Sequence, residues 1–85
     1  MKFIITGEPV VTITGTDYAA DLPATAYDDD NTVVAQTVLR VVGQTNTTLA
    51  AFKTAMKAAA AAWKTSVAAQ EDLRTRLGKV VGLEL

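Results

Sequence analysis

The 85-residue chain contains no cysteine and no histidine. The first absence excludes disulfides and thiolate metal ligands; the second removes the commonest general base and the commonest zinc ligand. Five glycines, at Gly7, Gly15, Gly43, Gly78 and Gly82, are scattered and form neither a phosphate-binding loop nor a nucleophile elbow. The longest apolar run, Ala58 to Trp63, is too short to span a bilayer, and Phe3-Ile4-Ile5 behind Lys2 is too short for the core of a signal peptide. No catalytic set is present. The chain is therefore expected to be non-enzymatic, without cofactor, metal or membrane attachment, and to reside in the cytoplasm or in a particle. A chain this small buries little surface, and without a disulfide or metal the ordinary remaining means of stabilising it is oligomerisation.

What the sequence does have is one long stretch, Gln44 to Leu77, free of both Gly and Pro. Helical over residues 47–77 it would be roughly 46 Å long at 1.5 Å per residue, against about 30 Å for a compact globule of this length. Such excess length predicts contact with other subunits. The formal net charge of −1 conceals a split. Residues 1–45 carry six acidic side chains against Lys2 and Arg40, a net −4, and residues 46–85 carry six basic against three acidic, a net +3. Opposite-sign halves favour end-to-end contact between copies.

Along the single domain, residues 1–14 read as a β-hairpin: β-branched runs Lys2 to Thr6 and Val10 to Thr14 flank a Gly7-Glu8-Pro9 loop. Residues 15–31, with Pro23 and five aspartates and no clear period, read as an acidic loop or arm. Residues 32–43 fit a buried strand by their valines and a helix nearly as well by spacing; β-branching favours the strand. The cluster Thr45-Asn46-Thr47-Thr48 offers N-caps for the helix, and residues 79–85 read as a short final strand or an arm. The fold class predicted is α+β, a small antiparallel sheet from the N-terminal half packed against one long C-terminal helix.

At 100° per residue, Leu49, Phe52, Met56, Ala60, Trp63 and Val67 fall on one line, the expected core stripe. Lys53, Lys57 and Lys64 share one flank, where solvated lysines with apolar stems are the ordinary case and phosphate contact the sharper one. The face opposite the stripe carries Thr54, Ala58, Ala61, Thr65 and Ala69 where a surface helix would show charges. Small residues let another backbone approach closely, so this face is the expected subunit interface. Asp28, Asp29 and Asp30 could meet a partner's lysines or form a turn. An EF-hand loop counted from Asp28 would place Val33 and Leu39 where Gly and Glu belong, which argues against calcium.

The function expected from these features is that of a structural subunit in a homo- or hetero-oligomeric particle, such as a capsid-decorating or tail-associated component of a phage virion. The alternative is a small dimeric, antitoxin-like adaptor touching DNA through the lysine flank, although a pI near 5.1 makes nucleic acid the weaker partner.

Overall fold

A computed structural model describes all 85 residues. It shows the α+β class: an antiparallel sheet in the N-terminal half and one long C-terminal helix. The strands are β1 (Lys2–Ile5), β2 (Val10–Thr14), β3 (Asp17–Tyr27) and β4 (Val33–Gln44), followed by α1 (Leu49–Leu77) and a 3-10 turn at Gly78–Val80.

The four strands occupy three rows. β1 pairs with residues 24–27 of β3, and β2 pairs with residues 17–21 of the same strand on the same side, while β4 covers the other side of β3. The two N-terminal runs therefore do not form a hairpin with each other; they are two pieces of one edge, broken at Gly7-Glu8-Pro9. The hairpin lies one step later. Its two-residue loop, Gly15-Thr16, joins Thr14 to Asp17, and Gly15 takes φ 62° at the first position, where a II′ turn needs a positive φ.

The acidic loop expected over residues 15–31 is also corrected, since Asp17–Tyr27 is the central strand. Pro23 sits in it at no cost in hydrogen bonds. Its carbonyl accepts from Thr6 N at 2.9 Å, so its backbone faces the first edge row at the point where that row is broken, and the missing N–H has no ladder partner to lose. Gly7 lies against the proline ring, and an added Cβ there would come within 2.7 Å of Pro23 Cγ. The break, Gly7 and Pro23 form one feature.

Tyr18, Ala20, Leu22, Ala24 and Ala26 alternate onto the helix-facing side of β3, opposite Gly43, Val41, Leu39, Thr37 and Ala35 of β4. Phe52, Ala55 and Met56 of α1 pack on a centre of Ala20, Leu22 and Val41. The helix starts at Thr48, whose side chain accepts from Ala51 N, and runs back over the sheet antiparallel to β4. Tyr18 meets Phe52 near the start, and Phe3 meets Trp63 edge-on at 5.4 Å further along.

Only 8 of 85 residues are buried, and three of the seven apolar ones are alanine. The expected stripe is met in part: Val67 is buried, Phe52, Met56, Ala60 and Trp63 are half-buried, and Leu49 is 69% exposed because the helix begins past the end of the sheet's apolar patch. The tail is neither strand nor packed arm; beyond the 3-10 turn it has no regular structure and is exposed. The sheet is also long, so the whole molecule is a rod of 62 × 20 × 19 Å rather than a globule with an oversized helix. Its radius of gyration is 17.0 Å, against about 12 Å for a compact chain of this length.

Candidate assembly surfaces

The lysine flank faces the first edge row. Lys64 Nζ stands 5.4 Å from the Phe3 ring centroid, a cation–π contact, and Lys57 and Lys64 border a shallow groove of about 220 Å³ with Phe3, Ile5, Leu39 and Trp63. Lys53, Lys57 and Lys64 are all exposed. Lys57 and Lys64 lie beside apolar side chains while remaining exposed, the snorkelling arrangement.

Thr54, Ala58, Ala61, Thr65 and Ala69 all lie on the exposed outer face of α1. The hydroxyls of Thr54 and Thr65 donate back to the carbonyls of Ala50 and Ala61 at 3.2 and 3.1 Å, which satisfies them without solvent. The face is consequently smoother and less polar than its composition suggests.

The three aspartates form the turn between β3 and β4. Asp28 Oδ1 accepts from the N–H of Asp30 and of Thr32, both at 2.9 Å, and Asn31 takes φ 61° to close the turn. Asp29 Oδ1 receives the Met1 ammonium at 2.9 Å. That hydrogen bond first, and the attraction of the positive charge second, hold the Asp29 carboxyl below the usual carboxylate range. With a lowered pKa, its stabilisation is present above the ordinary carboxylate range and is lost as pH falls through the lowered value; full exposure keeps it small. Charge-to-charge contact with the lysine flank is not formed within the chain. The turn instead lies beside Glu71 and Asp72 of the helix, whose charges are taken by Arg74 and Arg76 at 2.6 and 3.1 Å.

Two apolar surfaces were not legible in the stripe. Leu73, Leu77, Val80 and Val81 continue at helical spacing past the last sheet contact and are 46–86% exposed. At the opposite end of the rod, Val11 and Ile13 face the helix side of the sheet from a row that α1 does not cover, leaving a groove with Pro9, Tyr18 and Phe52. The accessible surface totals 6305 Å², whereas a folded monomer of 9.0 kDa exposes about 4,850 Å². The surplus is about 1,450 Å² by that scaling.

No helix is long and apolar enough to cross a membrane. No protein-family model matches the chain, and no curated protein or solved structure matches it either.

Proposed function

We propose that this chain is a non-enzymatic assembly subunit whose working form is an oligomer, a repeating piece of a larger particle of which a capsid- or tail-associated virion component is the case in view. The observation that carries this is the imbalance of apolar surface. Seven apolar residues are buried while fifteen large apolar side chains stand exposed, and the surplus area matches what one or two standard interfaces would remove at about 800 Å² per partner. A monomer left in that state would be marginally stable and prone to non-specific association.

The outer face of α1 is one of the surfaces such a particle would use. Thr65 projects from it, away from the sheet, so Thr65→Glu leaves the core intact. Burying that carboxylate unpaired at a subunit contact weakens association by about 3 kcal/mol or more, read as a loss of high-mass species in sedimentation with an unchanged helical signal. An unchanged mass distribution removes this face from the assembly. The regulatory alternative has its own readout: duplex DNA bound with an affinity that falls steeply with salt.

A further inference from the structure

We infer that a second copy of this chain docks on the free edge of β4 about a twofold, so that one antiparallel sheet runs through both molecules. This rests on the assembly reading above and names a surface for it. The two edges of the sheet are unlike. The β1/β2 edge is interrupted at residues 6–9 and carries Pro9, Glu8 and Lys2, the devices that keep an edge from pairing. The β4 edge is twelve residues long, contains no proline, is rich in valine and holds one charge, Arg40.

Pro23 fixes which groups that edge presents. Its carbonyl turns toward Thr6, so its partner in register, Val38, turns N–H and C=O away from β3 and into open space. With a period of two, Gln36, Arg40 and Val42 do the same. Four consecutive outward residues offer a full ladder to another strand.

The occupant is a second copy for two reasons. With Val38 on the twofold, antiparallel pairing sets Arg40 opposite Gln36 of the partner subunit; the lone charge meets an amide, and each Arg40 keeps its own Asp21 at 3.8 Å. The second reason is the helix. Its lysine flank faces Phe3, so the opposite flank, Ala55, Ala59, Ala62 and Ser66, faces the β4 edge. Side chains of α1 reach both β3 and β4, and its backbone lies nearer β4. Strands spaced about 4.8 Å apart then bring the two helix axes within about 10 Å, a distance that suits small side chains. The four sit at the height of Leu39, which shares a groove with Met56, Ala60 and Trp63, so the small row is centred where the twofold passes. A lone peptide added to the edge would leave that flank bare.

The chain has no cysteine, so single-cysteine variants report cleanly. Val38→Cys brings two Cα atoms about 5.5 Å apart in a hydrogen-bonded pair, where the Cβ atoms stand too far apart for an unstrained disulfide but within reach of a short bis-maleimide. With that cross-linker it should give a covalent dimer in high yield, while Thr12→Cys on the other edge stays largely unlinked. Val38→Pro removes an outward donor that the monomer does not use and should halve the mass of the smallest stable species while the helical signal is retained. A Val38→Cys protein that stays unlinked while the wild type is oligomeric overturns the β4 dimer and leaves the assembly reading standing. A wild type that is monomeric at every concentration overturns both. Should Val38→Pro fail to fold, the cysteine pair decides alone.

Discussion

Replacing Gly7 with alanine tests the feature on which the sheet's topology turns. The glycine's φ lies outside the left-handed region, so the substitution acts through space alone. The new Cβ would meet Pro23 Cγ at 2.7 Å, with Pro23 Cβ and Cδ at 3.5 and 3.7 Å. A proline ring cannot rotate away, and this one is held in the central strand between Thr6 and Val38. Forcing a methyl into such a contact costs about 1–3 kcal/mol. The stiffer unfolded chain returns about 0.4–1 kcal/mol, which leaves a net destabilisation of about 1.3 kcal/mol at the midpoints of these two opposing ranges. At about 4–8 °C per kcal/mol for a domain of this size, the melting temperature should fall by roughly 5–10 °C. The assay is thermal and urea denaturation of wild type, Gly7→Ala, Pro23→Ala and the double variant at one fixed protein concentration, since association would otherwise move the transition. In the double variant the clash is gone, so the effects should be non-additive by about 0.5–3 kcal/mol. A Gly7→Ala protein as stable as wild type, or strictly additive effects, would refute the account of the broken edge.

Trp63→Ala should cost about 2 kcal/mol, below the 3–5 expected for full burial because the ring is only half-buried against Phe3, with an emission maximum between those of buried and free tryptophan; denaturant unfolding measures the first and fluorescence the second, and a fully quenched, fully solvated Trp63 would contradict the packing. Thr48→Ala removes the side-chain acceptor for Ala51 N and should cost about 1 kcal/mol by the same unfolding measurement, with Thr48→Ser recovering most of it.

The elements with strong local signals were legible in the sequence: β1, β2 and β4 through β-branched runs, and α1 through its uninterrupted helix formers and the threonine that caps it. The central strand was not, for reasons particular to its residues. Tyr18, Ala20, Leu22, Ala24 and Ala26 do alternate with Asp17, Asp21, Pro23 and Thr25, but the apolar positions are mostly alanine, a poor strand former. Pro23 then reads as a breaker, and only the gap opposite it, at Gly7 to Pro9, makes it tolerable. The pairing of β1 and β2 with β3 instead of with each other follows from that missed strand. A helical projection gives directions but not where the sheet ends, which is why Leu49 fell on the stripe yet lies in solvent, and why the exposed row from Leu73 to Val81 went unseen. The Ala/Thr face and the lysine flank both lie exposed on α1, whereas the free edge of β4 could not be assigned from sequence, because its lack of proline and its single charge mark an edge open to pairing only once its neighbours are known.

The claim that this rod is built to associate is tested most directly by sedimentation equilibrium of the intact chain across a wide concentration range. The weight-average mass is expected to rise from 9.0 kDa to at least twice that value as concentration increases, whereas a mass fixed at 9.0 kDa throughout, with the folded signal intact, would contradict the claim.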